Sequence, residues 1–297
     1  MSTEPRQDKW AAWLERGRFG SDEATRALAL ERLGTVRDRV LQNASLSGQE
    51  VVLDVGTGEG LIGLGAMDLL SPPRGEVIFT DVSQPCLDLV ARFLNKYSSN
   101  VPSSFRRIPA DDLIGVADET VDVVTTRSVL IYVEDKRKAF REFFRVLRSK
   151  GRISLFEPIN RDRLTLDEKY VDEYYGYSTA AIADLMRRIR VRDAAIGRSD
   201  NPMTDFSYLD LLGMCEDAGF FESHIEVQCD ATKRKPRGWE SFVNFAPNPN
   251  AETIGEELRQ VFSPGELNTV VRHLRPLVES GNGIERSITA YIWAVKK

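Results

Sequence analysis

The sequence predicts an α/β protein built on a parallel sheet. Three observations carry that expectation. Short apolar runs rich in Val, Ile and Phe recur through the middle of the chain, helically patterned stretches separate them, and the first run stops abruptly at glycines spaced two apart. Strands that alternate with helices imply right-handed βαβ units, hence parallel pairing with helices on both faces.

In chain order, residues 8–17 and 22–44 read as helices. In the second, Ala27, Leu30, Leu33, Val36 and Val40 recur at spacings of three and four, and Ser21 is placed as its N-cap. Strands follow at VVLDV (51–55), EVIFTD (76–81), FRRI (105–108), VDVVTT (121–126) and RISLFE (152–157), with helices over 60–70, 84–97 and 136–148. The first and fourth runs are continuously apolar rather than alternating, the pattern of strands buried on both faces. Residues 160–206 are charged and tyrosine-rich and read as helices. A helix over 207–220 closes on Gly219 as C-cap, and 222–230 reads as a strand. An irregular, proline-bearing stretch, a helical segment around 254–280 and a strand at 288–297 complete the chain.

The 297 residues suffice for one large domain or two modest ones. A net charge of −5 argues against nucleic acid as the main partner, because phosphate binding needs a basic surface. No stretch approaches the roughly 18 apolar residues that span a bilayer. The opening MSTEPRQDKW has no apolar signal core, so a cytoplasmic location is expected. Cys86, Cys215 and Cys229 lack C-x-x-C spacing, and only His224 and His273 could join them, so no metal site is expected.

The glycine loop VVLDVGTGEG admits three ligands. A phosphate-cradling loop needs G-x-x-x-x-G-K-[S/T], and no lysine occurs in the loop or the helix after it. A dinucleotide fingerprint needs G-x-G-x-x-G, but its last position falls on Leu61. The third reading uses Asp54, two residues before Gly56. A carboxylate there repels a pyrophosphate and attracts an ammonium, directly or through water. A ligand with an ammonium, a ribose and no phosphate is S-adenosylmethionine. Asp81, ending the second strand, can accept from both ribose hydroxyls, although a nicotinamide dinucleotide would use an acid there too. Ala110-Asp111-Asp112, after the third strand, can accept from an adenine amino group.

With LDVGTGEG at 53–60, FTD at 79–81, ADD at 110–112 and VDVVTTRSVLIYVEDKRKAFREFFRVLRSKGRISLFEP at 121–158, the sequence resembles the class I S-adenosylmethionine-dependent methyltransferases. The resemblance implies a Rossmann-like, seven-stranded, mostly parallel sheet whose last strand, ITAYIWAVKK, runs antiparallel. It also implies an N-terminal helical lid (1–47), a cofactor-binding core (48–158), an inserted helical cap (159–206) and a C-terminal part (207–297) interrupted at 231–284. Cofactor binding is then expected at Asp54, Gly56, Thr57, Gly58, Gly60, Asp81, Val82, Ala110, Asp111, Asp112, Thr126 and Arg127. Tyr132 and Glu157 are the catalytic candidates. Related enzymes often carry a histidine near the place of Tyr132, and a phenol is a poor base near neutral pH. Trp10, Trp13, Phe19, Tyr174, Tyr175 and Tyr177 are expected to line an acceptor pocket. The expected reaction is methyl transfer to the oxygen, nitrogen or carbon of a small molecule, of the kind met in specialised metabolism, by in-line displacement. A protein or RNA methyltransferase, a non-catalytic cofactor-binding scaffold and an NAD-dependent oxidoreductase are the alternatives. No membrane partner is expected, and the oligomeric state is left open, a homodimer included.

Overall fold

The computed structural model describes residues 8–19, 22–96, 99–195 and 201–297. In chain order the elements are α1 (Lys9–Ala12), a π-helical turn (Trp13–Gly17), α2 (Glu23–Ala44), β1 (Val51–Val55), α3 (Leu61–Met67), β2 (Glu76–Asp81), α4 (Gln84–Lys96), β3 (Ser103–Arg107) and β4 (Val121–Arg127). A 3-10 turn (Leu130–Tyr132), α5 (Lys136–Val146), β5 (Leu147–Pro158), α6 (Asn160–Asp167), β6 (Glu173–Tyr174), β7 (Tyr177–Ser178), a second 3-10 turn (Ala180–Ile182) and α7 (Ala183–Ala195) follow. The chain ends with α8 (Tyr208–Ala218), β8 (Glu222–Lys233), α9 (Trp239–Val243), α10 (Ile254–Val261), α11 (Pro264–Ser280) and β9 (Ile284–Val295). Ser21, expected to cap α2, lies outside the described residues.

Seven strands form one sheet in the order β3-β2-β1-β4-β5-β9-β8. β1 pairs in parallel with β2 and β4, β2 with β3, and β4 with β5. β9 runs antiparallel to β5, as expected for the terminal strand. β1 and β4 are buried nearly throughout, which fits their unbroken hydrophobicity. Val40, Leu41 and Ala44 of α2 pack with Val52, Ile62, Val77 and Phe79 in the core. The expected apolar face of α2 is real only in its second half: Val40 is fully buried, whereas Leu30 is 48% exposed and Ala27 is exposed too.

The chain divides into two compact units. The first comprises 1–30, 162–201 and 229–288, and the second 31–161, 202–228 and 289–297. The 231–284 stretch, which had no derived role, supplies Trp239, Phe242, Ile254, Leu258, Leu274 and Val278 to the first unit's core, against Tyr177 and Met186. Residues 160–206 are not all helical, because β6 and β7 form a two-residue hairpin around Tyr175 and Gly176, both at positive φ. The helical segment around 254–280 breaks at Phe262, and Ser263 with Glu266 forms a capping box that starts α11. β5 starts five residues earlier than RISLFE, at Leu147 rather than Arg152, and its register on β4 shifts between Val121 and Val123. No described helix is long and apolar enough to cross a membrane.

Candidate functional site

The parallel register places the C-terminal ends of β1, β2 and β4 side by side, with Val55 beside both Thr80 and Thr126, and Asp81 beside Arg107 of β3. The residues expected to bind a cofactor lie in the ends of these strands and in the loops that leave them.

The first loop is built over Asp54. Its carboxylate is 2% exposed and accepts from Thr57 Oγ1 at 2.6 Å, Gly63 N at 3.0 Å and Thr125 Oγ1 at 3.0 Å. Thr125 reaches it because the two residues are register partners across β1 and β4. Burial pushes the Asp54 carboxyl up to about 6, against the hydrogen bonds from Thr57, Thr125 and Gly63. The ammonium-attracting role expected of Asp54 therefore changes. Its oxygens face the chain's own donors, so it shapes the loop from beneath. Above it, Gly56, Gly58 and Gly60 all have positive φ, at 63°, 54° and 83°. At Gly56 an added Cβ would come within 2.4 Å of Val129 Cγ2, so only glycine lets the loop and the turn after β4 meet.

Asp81 ties this loop to the next. Its Oδ2 accepts from Gly58 N at 2.9 Å and its Oδ1 from Ser83 N at 2.8 Å, while Thr57 N donates to Thr80 O at 2.9 Å. The N-cap of α4 is Ser83 rather than Asp81, because Ser83 Oγ accepts from Cys86 N at 3.3 Å. Asp81 stays 8% exposed at the strand edge, and Val82 beside it is 43% exposed. Ala110 is buried, Asp111 half-buried and Asp112 exposed.

The turn after β4 was not legible as a designed element. Ser128 has a φ of 56°, and its N–H donates to Phe156 O at 2.8 Å. Glu157, fully buried, accepts from Val129 N at 2.9 Å, Leu130 N at 3.0 Å and Ile131 N at 3.3 Å, with Thr126 Oγ1 at 3.5 Å. Burial pushes the Glu157 carboxyl up to about 7, opposed by those backbone bonds and by Arg127. A group so enclosed does not meet an acceptor in this conformation. The catalytic role expected of Glu157 gives way to positioning: it holds the turn that carries Arg127 at one end and half-buried Tyr132 at the other. Arg127 is half-buried too, and burial lowers its pKa against the fields of Glu157 and Glu59.

The six aromatics expected near an acceptor all belong to the first unit. Trp13 Nε1 donates to Ala246 O at 2.9 Å, and Lys9 lies over the Trp10 ring at 5.2 Å. The Tyr174 and Tyr175 rings meet edge-on at 4.8 Å, Tyr177 meets Phe242 at 5.7 Å, and the Tyr174 hydroxyl bonds Glu257. Phe19, Tyr174 and Tyr177 are buried, whereas Trp10, Trp13 and Tyr175 are half-buried.

Comparison with known proteins adds a family match over part of the chain. Residues 53–155 match the family model described as "Methyltransferase domain". The chain is similar to the uncharacterized 37.1 kDa protein in transposon TN4556 of Streptomyces fradiae, 32% identical over 149 residues, which is 50% of this chain and 40% of that one. It is similar to the carboxy-S-adenosyl-L-methionine synthase of Histophilus somni, 22% identical over 188 residues, 62% of this chain and 74% of the relative. It is also similar to the uncharacterized methyltransferase YcgJ of Bacillus subtilis, 30% identical over 130 residues, 43% of this chain and 49% of that protein. The crystal structure of YcgJ shares the fold, with a TM-score of 0.54 at 17% identity, covering 89% of this chain and 97% of that one. The chain thus spans less than half the length of the Streptomyces and Bacillus relatives.

Proposed function

We propose that this chain, whose residues 53–155 match the methyltransferase-domain family model, is a class I S-adenosylmethionine-dependent methyltransferase that moves a methyl group to a small-molecule acceptor by in-line displacement. The observation that carries the reading is the crevice itself: three glycines at positive φ, with Asp81 ending β2 and Asp111 in the loop after β3.

These residues fit the cofactor. Positive φ at Gly56, Gly58 and Gly60 lets the loop turn closely over the start of α3 with no Cβ in the way of an amino-acid tail. Asp81 stays 8% exposed at the strand edge, where a carboxylate can accept from ribose hydroxyls. Asp111, half-buried in the loop after β3, is the group we assign to the adenine amino group. S-adenosylmethionine supplies an activated methyl on a sulfonium, so the protein's work is alignment and exclusion of water. Asp54 and Glu157 contribute by fixing two loops from beneath. Tyr132 is the side chain we assign to the acceptor, as a hydrogen-bonding group rather than a base.

Thermal-shift measurement with S-adenosylmethionine and with NAD tests the reading. Stabilisation by the first is expected, and stabilisation by NAD alone sinks it. Asp81→Ala is expected to weaken cofactor binding by about tenfold or more, the worth of lost hydrogen bonds in a half-dry site. Calorimetry showing unchanged affinity would remove Asp81 from the site.

A further inference from the structure

Arg127 is a cation placed with care and left without a contact partner. It ends β4 beside the glycine loop, and among the described residues its guanidinium makes no side-chain hydrogen bond and no ion pair. Glu157, Glu59 and Asp54 act on it through their fields, but Glu157 and Asp54 spend their oxygens on backbone and hydroxyl donors. A half-buried guanidinium carries five donors, and none of those of Arg127 is among the enclosed nitrogens without a partner, so they are accessible to a ligand.

The surroundings show that this placement is imposed. Ser128, the next residue, sits in the left-handed region that a non-glycine residue adopts at a cost. The three residues after it have their N–H groups gathered by one buried carboxylate. Val129 closes over Gly56, where no side chain would fit. Three separate constraints thus fix the backbone that projects Arg127. Strain and buried charge concentrated on a turn are what a preorganised ligand contact requires.

Resting on the cofactor reading above, we propose that Arg127 receives a carboxylate carried by a ligand in this crevice. A planar fork of N–H donors matches a carboxylate in bidentate geometry, which an ammonium of lysine would not. The carboxylate has two sources, the amino-acid tail of the cofactor or an acid group on the acceptor. Either one supplies the contact partner that the described residues do not.

Calorimetry on the full chain separates the sources. The probes are S-adenosylhomocysteine, its decarboxylated analogue bearing an aminopropyl tail, and benzoate titrated into the S-adenosylhomocysteine complex. If the cofactor tail is the source, the wild-type protein prefers S-adenosylhomocysteine to the decarboxylated analogue by about ten- to a hundredfold, and Arg127→Gln abolishes that preference. If the acceptor is the source, Arg127→Gln leaves both nucleosides unchanged and loses benzoate binding. Arg127→Lys, which keeps the charge and loses the fork, is expected to fall between wild type and Arg127→Gln in whichever arm responds. It also carries the test should Arg127→Gln fail to fold. Identical nucleoside ratios and identical benzoate behaviour in wild type and variants overturn the proposal. A wild-type protein that binds neither nucleoside overturns the cofactor reading and this proposal with it.

Discussion

Two corners of the sheet edge solve the same problem with different residues. At the end of β1, Asp54 sits beneath a loop and gathers two hydroxyls and one backbone N–H. At the end of β4, Glu157 reaches across from β5 and gathers three consecutive backbone N–H groups. In both, a buried carboxylate is the internal counterpart of a turn whose outer surface faces the crevice. The difference lies in who adopts the positive φ. The first corner uses glycine at 56, 58 and 60, and the second forces it on Ser128. A corner made of glycines is cheap to form and easy to see in a sequence. One made of serine and a distant glutamate stores strain and shows nothing locally.

The largest effect is expected from removing Glu157. Glu157→Ala leaves three N–H groups without their acceptor in a fully buried place. At about 1–3 kcal/mol for each unmet donor, with partial relaxation, a loss of about 4 kcal/mol of stability is expected. Denaturant unfolding measures it, and a loss below about 1 kcal/mol would mean that the turn holds itself. Glu157→Gln separates charge from shape. Burial raises the folded pKa of Glu157 to about 7 from its ordinary 4.5, so the folded state holds the proton more tightly than the unfolded one. The resulting stabilisation is complete below the unfolded value and is lost as pH rises through about 7. Wild-type stability should therefore fall between pH 4.5 and 7, and most of that fall should vanish in Glu157→Gln. Asp54 adds a smaller decline of the same sign up to about 6, which the variant retains.

The corresponding break at the first corner is Gly56→Ala. The new Cβ meets Val129 at 2.4 Å and the φ of 63° is strained for alanine. Overpacking and the left-handed backbone together suggest a loss of about 2–4 kcal/mol. Because Val129 belongs to the other corner, the damage should spread across both. Combined with Glu157→Ala, the loss should be less than the sum, since the two share the same moving segment. Strict additivity would show that the corners are independent.

This contrast also explains what the sequence disclosed. The order of strands and helices, the antiparallel terminal strand and the crevice were legible because their signals are local: apolar runs, glycine spacing and acids at strand ends. Asp54 was noticed because a carboxylate inside VVLDV is conspicuous, but its partners were not. Thr125 lies 71 residues away and meets it only through the β1–β4 register. The positioning role of Glu157 is hidden for the same reason, since its donors at 129–131 are backbone groups that carry no residue signature. The 231–284 stretch was opaque because its apolar residues find partners in segments 50 and more residues earlier in the chain.

The smallest effect discriminates most finely. If Ser128 pays in strain for projecting Arg127, then Ser128→Gly should relieve it. A non-glycine residue in the left-handed region costs about 1–2 kcal/mol, and a new glycine gives back about 0.4–1 kcal/mol through the freer unfolded chain. The expected net is a gain of up to about 1 kcal/mol, opposite in sign to Gly56→Ala although both changes exchange glycine with a larger residue at positive φ. Binding of the ligand that supplies the carboxylate, S-adenosylhomocysteine or benzoate, should weaken slightly despite the gain, because a looser turn no longer fixes the guanidinium that precedes it. Unfolding and calorimetry on the same preparation read both quantities. Greater stability with undiminished binding would show that the strain serves no ligand, and would turn the second corner into a mere consequence of packing.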